Sequence, residues 1–268
     1  MSDVRGIPRS ARRSGGPTAN ADGARLALAD DPPGAPRVEI PVHRRGDWRS
    51  RAILAQERGA VAEQFRHLAV RVRSQLATDG QRTLAVTSAT RGDGKTTVVC
   101  NFALAMASVC GDDRVALVEF DLRRPRVGEG LGVRPEVGIE SVLAGEASLE
   151  SARIRTQFDS LDLFLVRDPQ MRAHELLSGP HTSGLVRSIA SRYRFVIVDT
   201  PPVLLVPDTP LLIPEVDAAL IIVRRGHTRL AALTSALDLL PEEKLLGVFV
   251  NELASPVRSR EYGYYAAK

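Results

Sequence analysis

The chain has 268 residues, of which 44% are hydrophobic and 25% are charged, and this composition is enough to build one sizeable core. Residues 1–51 contain ten arginines and six acidic residues, which accounts for the whole formal charge of +4. The remaining chain is therefore neutral overall, and a basic face for specific nucleic-acid binding is not expected.

Membrane-spanning and secreted proteins are also disfavoured. No stretch reaches the ~18 uninterrupted apolar residues that a membrane span requires. The apolar run at 26–29 is too short for the core of a signal peptide. The two cysteines, Cys100 and Cys110, fall ten residues apart in one predicted helix, where we expect buried packing and no disulfide. We therefore expect a cytoplasmic protein.

Three regions follow one another along the chain. Residues 1–52 are rich in arginine, glycine, alanine and proline without a sustained period, which predicts a disordered tail. A folded domain is expected over 53–254, and a short flexible tail over 255–268. The domain opens with an amphipathic helix over 60–76, in which apolar residues recur at spacings of three and four.

The next segment has the order of a phosphate-binding loop. An apolar strand over 83–87, a glycine-containing loop over 88–97 and an apolar helix follow one another. The loop departs from the pattern G-x-x-x-x-G-K-[ST] at its first glycine, which is Ala89. The chain has only three lysines among 36 basic residues. A lysine in this loop therefore indicates that the position requires a compact positive charge, which arginine does not provide.

Each residue type in this loop suits a polyphosphate. Gly92 and Gly94 leave room for backbone N–H groups to approach the phosphates, and the helix that begins beside Lys95 adds its positive dipole end. Lys95 supplies a mobile positive charge, and the Thr96 hydroxyl can ligate Mg²⁺. The loop therefore predicts a nucleotide-binding site.

Further apolar strands alternate with helical stretches through the rest of the domain. The predicted strands cover residues 114–121, 161–166, 195–198, 218–223 and 246–250. The predicted helices cover 137–145, 175–177, 182–193 and 229–240, with a further short helix between the strands at 195 and 218. This alternation indicates an α/β fold with a doubly wound, mostly parallel sheet, whose active residues lie at the carboxyl ends of the strands.

Three carboxylates fall at such strand ends. Glu119 and Asp121 are two residues apart and face the same side while the chain stays extended, and Asp199 ends another buried strand. Carboxylates are costly in an apolar sheet unless a cation meets them, and a Mg²⁺–nucleotide is the simplest candidate.

With these motifs in order, residues 60–265 resemble the bacterial tyrosine-kinase (BY-kinase) family. Residues 91–95 are similar to its Walker A sequence Pro-Gly-Glu-Gly-Lys, and 119–123 to its Asp-x-Asp-x-Arg motif, with Arg124-Pro125 following. Residues 199–202 match its Walker B motif, Asp-Thr-Pro-Pro. Further family-like segments are 175–178, Asp208 and 247–251.

The resemblance implies a P-loop NTPase fold of the MinD/ParA-like (deviant Walker) type and an ATP-dependent protein-tyrosine autokinase. Such kinases regulate capsule or exopolysaccharide biosynthesis. The resemblance also implies homo-oligomers and a membrane activator of the chain-length-determinant type, which recruits the cytoplasmic kinase to the inner face of the membrane. The tyrosines of the C-terminal tail, which correspond to the family's acceptors, are Tyr262, Tyr264 and Tyr265.

The resemblance also assigns roles to individual residues. Lys95, Asp121, Glu119 and Asp199 correspond to catalytic positions, with Glu119 or Asp121 as the base for the tyrosine hydroxyl. Thr96, Asp121 and Asp199 correspond to metal positions, directly or through water. The nucleotide-binding positions are Arg91, Gly92, Asp93, Gly94, Lys95, Thr96, Thr97, Arg123 and, on the adenine side, Asn251.

The sequence departs from the family pattern at two places. Glu119 stands where the family has aspartate, which adds one methylene and makes Asp121 the favoured base. The oligomerisation motif Glu-x-x-Arg-x-x-Arg is met by Glu63 and Arg66, while Ala69 fills the third place.

Two other functions remain open at this stage. One is a MinD/ParA-like ATPase switch, whose extra lysine would fall at Thr90, although Arg91 lies one place along. No amphipathic membrane helix ends the chain, which disfavours this switch. The other is a catalytically weak ATP-binding scaffold in the same pathway, which the substitution at position 119 favours.

Overall fold

The computed structural model describes residues 36–40 and 60–251, and the structural statements below concern these residues. The predicted acceptors Tyr262, Tyr264 and Tyr265 lie outside the described residues, as does most of the predicted N-terminal tail. Among the described residues, no helix is both long and apolar enough to cross a membrane.

Within the described part of the chain, one seven-stranded sheet forms the centre of the domain, in the order β3-β4-β2-β5-β1-β6-β7. All neighbours pair in parallel except β3, which is antiparallel to β4 at the edge. The strands are β1 (Thr83–Ser88), β2 (Val115–Glu119), β3 (Arg153–Arg155), β4 (Leu161–Phe164), β5 (Phe195–Asp199), β6 (Ala218–Arg224) and β7 (Leu245–Asn251).

Helices cover both faces of the sheet. They are α1 (Ala60–Thr78), α2 (Lys95–Val109), α3 (Val127–Leu131), α4 (Ile139–Leu143), α5 (Leu149–Ala152), α6 (Ala173–Leu177), α7 (His181–Arg192), α8 (Asp208–Leu212) and α9 (Leu230–Leu237). On one face, α2 packs beneath α1 and is almost entirely buried, which explains why its sequence is apolar all round. On the other face, α4, α7 and α8 bury their apolar residues against the strands. The predicted doubly wound, mostly parallel sheet is confirmed.

The elements that sequence periodicity did not predict are short. Helices α3 and α5 and strand β3 have three to five residues each, too few to express a period. Two predicted strands are shorter in the structure, since β2 ends at Glu119 and β4 ends at Phe164. The two cysteines are free and buried, as predicted.

A short segment of the predicted N-terminal tail docks at the edge of the sheet. Val38 pairs in parallel with Thr156, and its N–H donates to the Arg155 carbonyl at 2.8 Å. The side-chain amide of Gln157 donates to the Ile40 carbonyl (3.1 Å) and accepts from the Ile40 N–H (2.8 Å). It thus satisfies both backbone groups of Ile40, as the backbone of a neighbouring strand would do. Ile40 is buried. The predicted tail therefore contains one ordered segment, and the domain boundaries otherwise remain a prediction.

Candidate functional site

The predicted phosphate loop joins β1 to α2 at the carboxyl edge of the sheet. Gly92 and Gly94 have φ angles of 85° and 82°, in the left-handed region where a residue with a Cβ is strained. The loop lines an open cavity of about 440 Å³. Every predicted nucleotide-binding residue except Asn251 lines this cavity, and so does Asp121.

Lys95 forms the centre of a buried charge cluster. Its side chain is 7% exposed, and its Nζ makes an ion pair with Oδ1 of Asp199 and lies 3.9 Å from Oδ2 of Asp121. Burial raises the pKa of Asp199 to about 6, although Lys95 acts in the opposite direction. Burial also raises the pKa of Asp121, again opposed by Lys95. The ends of β2 and β5 therefore meet the phosphate loop as the sequence predicted.

The second carboxylate oxygen of Asp199 suits a metal ligand. Among the buried side-chain atoms of the described residues, Oδ2 of Asp199 is the one without a hydrogen-bond partner, which is costly unless a cation completes the site. The described residues contain no group of three or more His, Cys, Asp or Glu side chains arranged for a metal. Oδ2 of Asp199 suits Mg²⁺, which binds through one or two carboxylates together with substrate phosphates and water.

Glu119 is placed differently from Asp121, contrary to the expectation that both carboxylates face the same side. Its Oε1 accepts hydrogen bonds from the N–H groups of Arg126 (2.6 Å) and Val127 (2.7 Å), and its Oε2 accepts from Val166 (3.2 Å). The side chain lines a separate cavity beside α3 and does not line the phosphate cavity. The reason is that β2 ends at Glu119, so the two residues do not share an extended strand. The assignment of Glu119 as a base therefore has no support in the geometry.

Arg123 lines the phosphate cavity but is held by Asp208. Its guanidinium makes two hydrogen bonds to that carboxylate, at 2.7 and 3.1 Å, and a third to the Met171 carbonyl. These contacts fix the turn after β2 to α6 and α8. The sequence singled out Arg123 and Asp208 separately and gave no indication that they form a pair.

Asn251, predicted on the adenine side, contacts the phosphate loop directly. Its amide nitrogen donates to the Asp93 carbonyl at 3.1 Å. A Cβ on Gly94 would lie 2.1 Å from the same nitrogen, so this contact also requires glycine at position 94. Residues of the turn after β6, His227 and Thr228, contact the loop as well. Sequence reasoning missed both, because the segment carries no motif or period.

The carboxylate of Asp93 is occupied by donors from the protein. It accepts hydrogen bonds from the Thr90 N–H at 2.8 Å and from the Thr228 hydroxyl at 2.6 Å, and its residue is 1% exposed. The side chain therefore braces the loop through its contacts with Thr90 and Thr228.

A doubly wound sheet with a phosphate loop after β1 and carboxylates after β2 and β5 defines a P-loop nucleotide-binding protein. The known proteins similar to this chain narrow that class. No protein-family profile matches the chain. Tyrosine-protein kinase YwqD of Bacillus subtilis is 29% identical over 228 residues, covering 84% of this chain and 95% of YwqD. Succinoglycan biosynthesis transport protein ExoP of Rhizobium meliloti is 27% identical over 208 residues, but these cover only 26% of ExoP.

Solved structures show the same likeness. The kinase domain of VpsO is 28% identical with a TM-score of 0.64, and the match covers 71% of this chain and 95% of that domain. The cell-division ATPase MinD of Pyrococcus furiosus is 26% identical with a TM-score of 0.52, covering 63% of this chain and 70% of MinD. The resemblance to bacterial tyrosine kinases is therefore confirmed, and the P-loop NTPase fold is shared with MinD.

Proposed function

We propose that the chain is an ATP-dependent protein-tyrosine kinase of capsule or exopolysaccharide biosynthesis. Its proposed acceptors are the C-terminal residues Tyr262, Tyr264 and Tyr265. The observation that carries the proposal is the meeting of Lys95, Asp121 and Asp199 beneath the phosphate loop. The names of the similar proteins support tyrosine as the acceptor and polysaccharide synthesis as the pathway.

The residues of the cavity divide the chemistry among them. Lys95 and the backbone N–H groups of residues 92–97 bind the β- and γ-phosphates of ATP. Asp199, Thr96 and Asp121 are the residues that would hold Mg²⁺, which when bound neutralises charge on the phosphoryl oxygens. Lys95 also keeps Asp199 ionised by pairing with it.

Asp121 is the proposed general base. It accepts the proton of a tyrosine hydroxyl, whose oxygen bonds to the γ-phosphorus while the bond to the β–γ bridging oxygen breaks and ADP leaves. The exposure of Asp121 to the cavity supports this role. Its raised pKa increases its affinity for a proton compared with an ordinary aspartate.

The remaining proposals concern partners. We expect a cytoplasmic homo-oligomer recruited to the membrane by an activator of the chain-length-determinant type. On α1, Glu63 and Arg66 pair with each other and Ala69 is buried, so any oligomer would use a modified form of the family motif.

Phosphotyrosine formation tests the kinase proposal. The full-length protein is incubated with Mg-ATP, with and without the cytoplasmic segment of its activator. We expect a phosphotyrosine signal that Lys95→Met abolishes and that the triple change Tyr262/264/265→Phe removes. A wild-type signal no higher than that of Lys95→Met contradicts the kinase activity, whereas an unchanged signal in the triple variant contradicts only the tail as acceptor.

A pair of substitutions tests the assignment of the base. Asp121→Asn is expected to lower the rate of phosphotyrosine formation by ~10²-fold or more, because a general base contributes about that much. Glu119→Gln is expected to keep the rate within about threefold, because its oxygens serve backbone N–H groups and not the cavity. If Glu119→Gln lowered the rate more than Asp121→Asn, Glu119 and not Asp121 would be the base.

Because the chain is similar to MinD, an ATPase switch is the second candidate function. Steady ATP hydrolysis without phosphotyrosine would favour that switch. Nucleotide binding with neither hydrolysis nor phosphotyrosine would favour a catalytically weak scaffold.

A further inference from the structure

Three successive carbonyl groups of the phosphate loop are hydrogen-bonded by side chains outside the loop. His227 Nε2 lies 2.9 Å from the Arg91 carbonyl oxygen. Arg224 Nη1 donates to the Gly92 carbonyl at 3.2 Å, and Asn251 Nδ2 donates to the Asp93 carbonyl at 3.1 Å. A carbonyl oxygen only accepts, so Nε2 of His227 carries the hydrogen. The donors lie at the ends of β6 and β7 and in the turn after β6.

The Asp93 side chain adds a fourth contact to the same turn. The Thr228 hydroxyl donates to this carboxylate at 2.6 Å and accepts from the Arg224 N–H at 2.8 Å. The loop therefore contacts the turn after β6 through both its backbone and a buried carboxylate. We call Arg224, His227, Thr228 and Asn251 the β6–β7 clamp.

These contacts also orient the N–H groups of the loop. In a trans peptide, the C=O and the following N–H point in opposite directions. Carbonyls 91–93 are drawn towards β6 and β7, which turns the N–H groups of residues 92–94 to the opposite side. In the sheet, β5 and β2 lie on the side of β1 opposite to β6 and β7. Strand β5 ends at Asp199, and β2 leads to Asp121.

We propose that the β6–β7 clamp positions the N–H groups of the phosphate loop for a nucleotide polyphosphate before the nucleotide binds. The clamp residues are positioning residues, because their contacts with the loop are to its carbonyl groups and to Asp93. Preorganisation removes the cost of ordering the loop upon binding, so it strengthens affinity. The inference rests on the nucleotide binding in the proposed function and is independent of whether a tyrosine is phosphorylated.

His227 and Thr228 offer the sharpest tests. Arg224 also lines the phosphate cavity, so its removal would change the charge near the phosphates as well. Thr228→Val removes the hydroxyl at nearly constant volume, and Thr228→Ser retains it. His227→Leu removes the donor to the Arg91 carbonyl, and His227→Gln retains an N–H donor in a similar place.

The affinity of full-length protein for mant-ADP with Mg²⁺ measures the effect by fluorescence titration, well below the melting temperature of every variant. We expect Thr228→Val and His227→Leu each to raise Kd about five- to tenfold, the worth of one hydrogen bond. Thr228→Ser and His227→Gln should stay within about twofold of wild type. Thr234→Val is the matched control, because the Thr234 hydroxyl bonds the Leu230 carbonyl within α9. Its Kd should equal that of wild type.

The double variant, which combines Thr228→Val with His227→Leu, gives a further readout that a purely structural role of the two residues would not produce. Both substitutions act on one loop, so the increase in Kd of the double variant should be less than the product of the two single increases. A wild-type Kd in both single variants overturns the clamp while leaving the proposed function intact. Absence of mant-ADP binding by wild type overturns the proposed function and the clamp together. Should Thr228→Val not fold, the half-exposed His227 still provides the test.

Discussion

At the scale of single residues, Glu119 and Asp121 show how two neighbouring carboxylates acquire different environments. Asp121 lies beside Lys95 in the phosphate cavity, whereas Glu119 binds the first N–H groups of α3. Burial raises the pKa of Glu119 to about 7, although its backbone donors act in the opposite direction. Protonation of Glu119 is therefore linked to folding.

The linkage predicts how stability depends on pH. The folded-state pKa of Glu119 is raised from 4.5 to about 7, so its contribution is fully present below pH 4.5 and is lost as the pH rises through 7. The expected loss is about 3 kcal/mol. Urea unfolding between pH 4.5 and 8 should show this decrease in wild type relative to Glu119→Gln, which mimics the protonated acid. Parallel profiles of the two proteins would contradict the raised pKa.

At the scale of elements, a buried ionic cluster ties the edge of the sheet to the helix α7. Asp162 of β4 accepts hydrogen bonds from Arg114 (2.6 Å), Arg153 (2.9 Å) and the Tyr193 hydroxyl (2.6 Å). The Tyr193 ring packs edge-on against Phe164, with centroids 6.0 Å apart. Tyr193 is thus a structural tyrosine that a kinase cannot reach in the folded domain.

The substitution Tyr193→Phe separates these two contributions. The ring packing is kept and one buried hydrogen bond to a carboxylate is lost, so the free energy of unfolding should fall by about 1–3 kcal/mol. Urea unfolding measures this change. The phosphotyrosine signal per folded molecule should stay at the wild-type level, and its disappearance would identify Tyr193 as an acceptor.

At the scale of the whole molecule, the segment 36–40 extends the hydrophobic core beyond the predicted domain. Ile40 is 4% exposed and packs with the cluster formed by α1, α2 and one face of the sheet, while Val38 is 39% exposed. This docking joins chain segments more than a hundred residues apart. It covers part of the open edge at β3, which limits pairing with other chains.

Two alanine substitutions measure this docking. Ile40→Ala should lower the free energy of unfolding by about 2 kcal/mol, because it removes a buried branched side chain. Val38→Ala is the matched control and should change it by less than about 0.5 kcal/mol. Both values come from urea unfolding of the full-length protein, and equal small effects would mean that the segment does not stabilise the domain.

Some features of the site could be predicted from the sequence, and others could not. The phosphate loop, the strands other than β3, and Asp199 were predictable because each depends on local order: glycine spacing, an apolar run, and an acid at its end. The clamp residues His227 and Thr228 were not, since their partners lie more than a hundred residues away. The pairing of Arg123 with Asp208 also joins distant parts of the chain, since 85 residues separate the two, and no local pattern indicates it.

The sequence by itself determined the fold class, the nucleotide loop and the resemblance to bacterial tyrosine kinases, because local patterns and motif order carry that information. The tertiary structure alone decided which carboxylate enters the phosphate cavity, since β2 ends at Glu119 and the next residues leave the strand direction. It also decided that β6 and β7 hold the loop's carbonyl groups. Such contacts depend on strand order in the sheet, which no local pattern encodes.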